Sequence, residues 1–299
     1  MSLIDTRYFS PPLEKMSSLI AIVPDQGDGP FPTVYQLHGL SDDHTAWQRR
    51  TRVEALAERH RVMVVLLDGA RSFYINSLLG RYEDHVIDAI RVAERLLPAA
   101  RDARLRGIGG LSMGGYGAMK MGLKYPGLYA SVAAHSGAYD AARLFRERFS
   151  GEAAVLAPKG LDPGDNLFQL VKRPGAKPAI RFDCGVDDFL LKDSRLLHDT
   201  FTRLGVAHVY EEFLGAHSWD YWDAHLDAAL AFHAAAFQTA TATRPAADSA
   251  PGPAPRKIPA HEPGPAPAPR KTPAVAPDPP AQPPRKPRGR PRLNPKRQL

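Results

Sequence analysis

Short apolar runs alternate with longer amphipathic stretches over residues 17–240, and this alternation is the dominant pattern of the sequence. Several apolar runs are continuous, which is typical of parallel strands that are buried on both faces of a sheet. Apolar positions at helical spacing lie between these runs. The pattern predicts strands at 18–23, 33–37, 62–67, 105–109, 131–135, 179–183 and 208–213, and helices at 52–59, 82–97, 115–124, 190–204 and 222–237. It therefore predicts an α/β fold with a mostly parallel sheet and helices on both faces.

Residues 140–178 do not follow this alternation, because several prolines and glycines interrupt them. Such residues disfavour long helices and central strands. The segment is predicted to leave the sheet as an excursion above it. Two interpretations fit: the excursion forms a wall of a substrate pocket, or it is a long surface loop.

Composition changes sharply after residue 240. This last segment holds 18 of the 29 prolines and twelve Lys/Arg against three Asp/Glu, so it carries a net charge of +9 and leaves −2 for the rest of the +7 chain. It has almost no large apolar side chains, and such a composition cannot bury enough surface to offset the entropy of ordering. Two parts are predicted: an α/β domain at 1–240 and a disordered, proline-rich basic tail at 241–299.

Several classes of protein are disfavoured by what the sequence lacks. A single cysteine, Cys184, excludes an intramolecular disulfide and a zinc site built from several cysteines. Neither a P-loop nor the glycine fingerprint of a dinucleotide-binding fold is present. No apolar run approaches the roughly 20 residues of a membrane span, and the N-terminal residues lack a signal-peptide pattern. We expect a cytoplasmic protein that needs no cofactor or metal.

The strongest local motif is Gly-Leu-Ser-Met-Gly-Gly-Tyr-Gly (110–117), between a predicted strand and a predicted helix. In this context G-x-S-x-G forms a sharp turn that exposes the serine hydroxyl above the sheet. The chain crosses closely at such a turn, so small residues are needed beside the serine, and Gly110 and Gly114 meet that need. The motif predicts Ser112 as a nucleophile, with a helix N-terminus directed at developing negative charge.

A serine nucleophile needs a base and an acid, and this type of fold presents them in the chain order serine, acid, histidine. Six histidines follow residue 188, and among them His217 is the one in a loop just after the last predicted strand. The loop after the preceding strand, Cys-Gly-Val-Asp-Asp-Phe (184–189), offers Asp187 and Asp188. Spacing does not choose between them. The other carboxylate is predicted to be solvated or to cap the next helix.

An oxyanion hole needs two backbone N–H donors, one following the nucleophile and one from an early loop. Met113 supplies the first. The predicted strand at 33–37 ends in Leu-His-Gly-Leu (37–40), which makes the Leu40 amide the second candidate. His38 is predicted to have a structural role, hydrogen-bonded within this loop.

Together these motifs resemble those of the putative-esterase family of α/β-hydrolases, and within it the short-chain (tributyrin-type) carboxylesterases. The resemblance runs from about residue 10 to residue 237 and rests on four blocks, at 37–40 with Trp47, at 110–118, at 184–190 and at 215–222. It implies an α/β-hydrolase fold and a serine esterase that cleaves short-chain acyl esters through an acyl-serine intermediate. It also implies Asp188 as the acid that partners His217 and Ser112, with the Leu40 and Met113 amides in the oxyanion hole.

The S-formylglutathione hydrolases share similar blocks and give an alternative function, hydrolysis of a thioester. The loop at 40–45, Leu-Ser-Asp-Asp-His-Thr, lacks the Thr-Cys-Thr pattern that is usual in those enzymes, which makes this the second choice. Five side chains are predicted to line a pocket for a small-molecule ester, with core packing as the alternative for each aromatic one: Trp47, Tyr74, Asn76, Trp219 and Trp222.

The basic tail suggests an alternative function of a different class, association with nucleic acid. Lys-Pro-Arg-Gly-Arg-Pro-Arg (286–292) resembles an AT-hook, whose extended core enters the narrow minor groove of A·T-rich DNA. The residues concerned are Arg288, Gly289, Arg290 and Pro291. A nonspecific cationic tail that contacts DNA, acidic proteins or membrane surfaces is the favoured interpretation, because such a string can arise by chance in a segment rich in Pro and Arg. A nucleic-acid-associated protein with an esterase-like scaffold would not need a serine, an acid and a histidine together, so the sequence favours the enzyme.

Overall fold

The structure, a computed structural model, describes residues 1–242, which contain ten strands and nine α-helices. The strands are β1 (Ser2–Ser10), β2 (Lys15–Val23), β3 (Thr33–Leu37), β4 (Met63–Leu67), β5 (Asn76–Ser77), β6 (Gly80–Arg81), β7 (Arg106–Leu111), β8 (Ser131–His135), β9 (Ala179–Gly185) and β10 (Val209–Phe213). The helices are α1 (Ala46–Arg50), α2 (Val53–His60), α3 (Tyr82–Leu96), α4 (Met113–Lys124), α5 (Ala141–Glu147), α6 (Ser150–Leu156), α7 (Leu167–Leu170), α8 (Leu191–Arg203) and α9 (Trp219–Ala242). No helix among these residues is both long and apolar enough to span a membrane.

Eight strands form one sheet in the order β1-β2-β4-β3-β7-β8-β9-β10. β1, β2 and β4 pair antiparallel, and the pairs from β4 across to β10 are parallel. The predicted mostly parallel α/β fold is confirmed. The chain moves from β3 to β4 on one side and then to β7 on the other, so the sheet reverses its order beside β3. Ligands bind at such a switch point, beyond the carboxyl ends of the strands.

The core lies on both faces of the sheet because the central strands are buried throughout. All five residues of β3 and all five of β4 are buried. Adjacent residues serve opposite faces, so Val34 packs in one apolar cluster and Tyr35 in the other. Helices α2 and α9 contribute to the first cluster, and α3, α4 and α8 contribute to the second. This two-sided burial holds the strand ends, and the loops that follow them, in fixed positions.

The structure differs from the prediction in several elements. β1 was not predicted, because it is an edge strand whose exposed positions include Asp5 and Arg7 between apolar ones; it pairs with all of β2. Residues 140–178 contain the three short helices α5, α6 and α7. Helix α9 runs beyond both ends of the predicted 222–237 helix, since alanine-rich residues continue it to Ala242.

The boundary between residues 240 and 241 stays a prediction, although α9 continues two residues past it. The AT-hook-like segment at 286–292, with Arg288, Gly289, Arg290 and Pro291, lies outside the described residues.

Candidate active site

Ser112 is the single residue between the end of β7 and the start of α4. The predicted strand–turn–helix context of the motif is therefore confirmed. Its φ of 54° and ψ of −117° lie in a region that side-chain-bearing residues rarely adopt, at a cost of order 1–3 kcal/mol. The turn is held from β8, because the Ser112 N–H donates to the carbonyl oxygen of His135 over 3.0 Å.

Glycines beside the serine make this turn possible. A Cβ atom on Gly114 would lie 2.4 Å from the carbonyl oxygen of Leu37, and one on Gly110 would lie 2.5 Å from that of Gly114. Both distances are far below van der Waals contact with backbone atoms that have no room to move. The sequence argument that this turn needs small residues at 110 and 114 is thus confirmed by the packing of β3 against α4.

A line of hydrogen-bonding contacts connects Ser112 to His217 and Asp188. His217 Nε2 lies 3.0 Å from Ser112 Oγ, and His217 Nδ1 lies 2.8 Å from Asp188 Oδ2. The Asp188 side chain is fully buried, whereas 19% of the His217 side chain is exposed. The three groups come from the ends of different strands: Ser112 follows β7, Asp188 follows β9 and His217 follows β10. The carboxyl ends of these parallel strands therefore bring the three side chains together at one edge of the sheet.

Asp187, the alternative left open by the spacing, is not part of this line. It is exposed, and its backbone N–H donates to the carbonyl oxygen of Gly215. Asp188 also accepts a hydrogen bond from the Leu190 N–H through Oδ1. Of the two roles predicted for the other carboxylate, Asp187 has the first, exposure to solvent, and Asp188 itself accepts the hydrogen bond near the start of α8.

Aromatic rings fix the orientation of the His217 imidazole. The Phe189 ring lies 4.5 Å from it, centroid to centroid, and Trp222 meets it edge-on at 4.9 Å and 89°. Trp222 is itself fixed, because its indole N–H donates to Ser136 Oγ over 3.1 Å. Ser136 directly follows β8 with a left-handed φ of 49°. No sequence signal distinguished Ser136 or Phe189.

A second, fully buried His–Asp pair lies behind the nucleophile turn. His135 Nδ1 is 2.9 Å from Asp183 Oδ1, and the Tyr221 hydroxyl donates to the same oxygen. Burial by itself would raise the pKa of Asp183, but His135 and the neighbouring Arg181 hold it below its ordinary value. The contact between His135 and Asp183 therefore ties β8 to β9 directly under the loop that carries Ser112.

The predicted oxyanion amides have no competing partner. Within residues 1–242, neither the Leu40 N–H nor the Met113 N–H donates to another protein atom. Gly39 allows close packing of this loop, since a Cβ atom there would lie 2.8 Å from Leu111 Cδ1 and 3.1 Å from Asp42 Oδ2. His38 has the predicted structural role: its Nδ1 lies 2.7 Å from the Gly39 carbonyl oxygen and its Nε2 accepts from the Gly69 N–H.

A cavity of about 310 Å³ opens over Ser112 and His217. Its apolar walls are aromatic for the most part: Leu40, Phe149, Phe189, Trp219 and Trp222. Two charged side chains also reach it, Asp42 from the Leu40 loop and Arg148 from the segment after α5. Arg148 and Phe149 belong to the 140–178 excursion, so this segment contributes to the wall of the cavity.

Of the five predicted pocket residues, Trp219 and Trp222 line the cavity and the other three do not. Trp47 is fully buried, with its indole N–H donating to the carbonyl oxygen of Leu37. The fully buried Tyr74 donates to the carbonyl oxygen of His38. Asn76 accepts from backbone amides at the start of α3. The prediction for these three is corrected, because backbone groups elsewhere already engage their polar atoms.

Among the described residues, no cluster of three or more His, Cys, Asp or Glu side chains could hold a metal ion. Cys184 is buried at the end of β9, and burial raises the pKa of its thiol to about 12. The thiol is therefore neutral at physiological pH.

The sequence matches the family model described as "Putative esterase" over residues 14–233. It is 30% identical over 257 residues to an acetyl esterase of Caldicellulosiruptor saccharolyticus, a match that covers 76% of this chain and 96% of that protein. It is 26% identical over 212 residues to an S-formylglutathione hydrolase of Bos taurus, covering 62% of this chain and 75% of the relative.

Solved structures share the fold of the α/β domain. FphF, a fluorophosphonate-binding serine hydrolase of Staphylococcus aureus, superposes with a TM-score of 0.73 at 25% identity, covering 78% of this chain and 98% of that one. The S-formylglutathione hydrolase FrmB of the same organism gives a TM-score of 0.71 at 26% identity, with the same coverage of both chains.

Proposed function

The chain belongs to the putative-esterase family and is a carboxylic ester hydrolase, and on this premise we propose that it cleaves short-chain acyl esters through an acyl-Ser112 intermediate. The observation that carries the proposal is the continuous line of contacts from Asp188 through His217 to Ser112, at 2.8 and 3.0 Å. A buried carboxylate, an imidazole and a hydroxyl in this order have the geometry needed to activate a serine.

In the first half of the reaction, Ser112 Oγ attacks the ester carbonyl carbon while His217 Nε2 accepts the hydroxyl proton. The carbonyl oxygen gains the negative charge of the tetrahedral intermediate, and the Leu40 and Met113 amides donate hydrogen bonds to it. Two unengaged N–H groups suit this task, since each such donor typically lowers the barrier enough to raise the rate about 10²–10³-fold. The intermediate collapses as its C–O bond to the alcohol breaks and His217 gives the proton to the departing oxygen.

In the second half, His217 accepts a proton from water as that water attacks the acyl-Ser112 carbonyl carbon. The bond to Ser112 Oγ then breaks, the serine regains its proton from His217, and the carboxylic acid leaves. Asp188 stays ionised throughout. It accepts a hydrogen bond from Nδ1 of His217, which keeps Nε2 free to act as the base, and it stabilises the imidazolium that forms in each half-reaction.

A preference for short acyl groups is supported by the size of the cavity. Its volume of about 310 Å³ is at the lower end of the range for small-molecule sites. Trp219 and Trp222 close one side of it, and Trp222 is held in place by Ser136. The similarity to an acetyl esterase points in the same direction.

The test is a panel of 4-nitrophenyl esters of increasing acyl length, with Ser112→Ala as the decisive variant. We expect the wild type to be fastest on the shortest acyl chains, and the variant to lose about 10⁶-fold in kcat. Ser150→Ala, at an exposed serine of α6, is the matched control and should retain wild-type rates. Near-normal turnover by Ser112→Ala would reject the assignment.

A second candidate substrate is S-formylglutathione, because relatives with that printed function match both the sequence and the fold. The thioester would use the same residues, with the glutathione sulfur as the leaving atom. Adding S-formylglutathione to the panel of esters distinguishes the thioester from the oxygen esters as the preferred substrate. We expect its kcat/KM to fall below that of the best oxygen ester; a value well above it would make the thioester the substrate.

A further inference from the structure

One cation of the active-site cavity has no charge partner in the part of the chain that the structure describes. Arg148 directly follows α5, is exposed, and makes no ion pair with any described carboxylate. Its neighbours on α5 are engaged: Arg143 pairs with Glu147 and Asp193, and Arg146 donates to a helix carbonyl oxygen. Arg148 thus offers guanidinium N–H groups to whatever occupies the cavity.

Arg148 packs against the ring of Phe189, next to the catalytic histidine. Its guanidinium carbon lies 4.2 Å from the centroid of the Phe189 ring, a stacking distance at which the cation and the ring attract each other. Phe189 also contacts His217, at 4.5 Å between ring centroids. The shared contact with Phe189 places the cation on the histidine side of the cavity.

That side is where the alcohol portion of an ester has to lie. In the proposed reaction His217 hands its proton to the alcohol oxygen, so this oxygen must approach Nε2 of His217. The carbonyl oxygen is directed instead at the Leu40 and Met113 amides. A group that extends from the alcohol oxygen along Phe189 would meet the Arg148 guanidinium.

The other charged lining residue does not neutralise Arg148. Asp42 belongs to the Leu40 loop and packs against Gly39, where burial raises the pKa of its carboxyl while His38 and arginines of α1 oppose that change. It forms no ion pair with Arg148 within residues 1–242. The residues beside the cation, Phe149 in sequence and Phe189 in space, are aromatic and carry no charge.

We propose that Arg148 is a specificity residue that selects esters whose alcohol portion carries a carboxylate or phosphate. This inference rests on the proposed function and deepens it by assigning the class of leaving group. The planar guanidinium can donate two parallel hydrogen bonds to either anion, and Arg148 lines the cavity into which the alcohol portion extends.

The test uses two aryl acetates that differ only in charge, 4-acetoxybenzoate and 4-acetoxybenzamide. We expect Arg148→Gln to lower kcat/KM for the benzoate about tenfold, as for loss of a charged hydrogen bond, while the benzamide changes little. Arg148→Lys should retain part of the preference, and added salt should weaken it in the wild type. Arg146→Gln, which removes a nearby cation that does not line the cavity, is the matched control and should leave the ratio unchanged.

A second pair places the charge on the acyl side, with 4-nitrophenyl glutarate compared with 4-nitrophenyl valerate. The proposal predicts that Arg148→Gln leaves this ratio near its wild-type value. A loss of kcat/KM confined to the glutarate ester, or equal losses for the benzoate and the benzamide, would overturn the proposal for Arg148. Neither result would affect the proposed esterase activity itself. If the wild type cleaves none of the four esters, the proposed function fails, and the inference fails with it.

Discussion

The side chains of Asp188 and His217 meet at 2.8 Å, with the carboxylate fully buried and the imidazole open to the cavity. A buried carboxylate in this position keeps the imidazole in one tautomer and balances its charge when it is protonated.

Asp188→Asn should therefore lower kcat by about 10⁴-fold, because an amide removes the charge and can force the wrong tautomer. Asp187→Asn makes the same chemical change at the exposed neighbour and should leave kcat close to that of the wild type. Steady-state kinetics with a short-chain 4-nitrophenyl ester checks both. Equal losses in the two variants would contradict the assignment of Asp188.

Ser136 and Trp222 form a unit that positions His217 from behind. Ser136→Ala removes the acceptor of the Trp222 indole N–H, and Trp222→Phe removes the donor while keeping a ring against His217. We expect each variant to lower kcat several-fold with a smaller change in KM. Because both break the same hydrogen bond, the double variant should be little worse than the more impaired single one. Fully additive losses would show that the two residues act independently.

Acid should destabilise the fold through His85 of α3, which contacts the hairpin formed by β1 and β2. This buried histidine contacts Ser10 and Ser17 of the hairpin, and burial lowers its pKa from 6.5 to about 4. Between those values the unfolded chain binds the proton that the folded state rejects, so the free energy of unfolding falls as the pH drops from about 6.5 to about 4. The expected loss from this one group is about 3 kcal/mol.

His85→Gln tests this by chemical denaturation at pH 7 and pH 4. The variant has no titrating group at this position, so its stability difference between the two pH values should be smaller than that of the wild type. An unchanged difference would mean that His85 does not contribute to acid sensitivity.

The organisation of the catalytic part of the sequence was largely predictable, because its signals are local. The bounds of β3 and β8 follow from continuous apolar runs, and the position of Ser112 follows from glycines that the crossing of β3 and α4 requires. Asp188 was different: spacing left two carboxylates open, and the family resemblance chose the one that contacts His217.

What the sequence could not predict depends on contacts between distant segments. Nothing local marks Phe189 as the ring between Arg148 and His217, or Ser136 as the acceptor for Trp222. Trp47 and Tyr74 are of residue types that often line pockets. Their side chains instead donate hydrogen bonds to backbone carbonyl oxygens at the end of β3. β1 lacked a clear signal because an exposed edge strand carries polar residues among its apolar ones.

The basic tail is predicted to bind DNA apart from the esterase activity. Truncation after Ala242 keeps α9 whole and removes the tail, so it should abolish binding to A·T-rich duplex at 50 mM salt and leave ester hydrolysis unchanged. Arg290→Ala, within the AT-hook-like segment, should weaken binding more than Arg256→Ala outside it. Equal effects would favour nonspecific charge, and a full-length protein that binds no DNA would contradict the AT-hook interpretation.

Trapping the acyl-enzyme shows whether Ser112 is the residue that attacks the ester. The enzyme is mixed with 4-nitrophenyl acetate and quenched in acid during the first turnover, and its peptides are analysed by mass spectrometry. We expect an acetyl group on Ser112 that accumulates with the first release of nitrophenol and is absent from Ser112→Ala. An acetyl group on another residue as the kinetically competent intermediate, or hydrolysis at wild-type rate without any acylated Ser112, would contradict this role of Ser112.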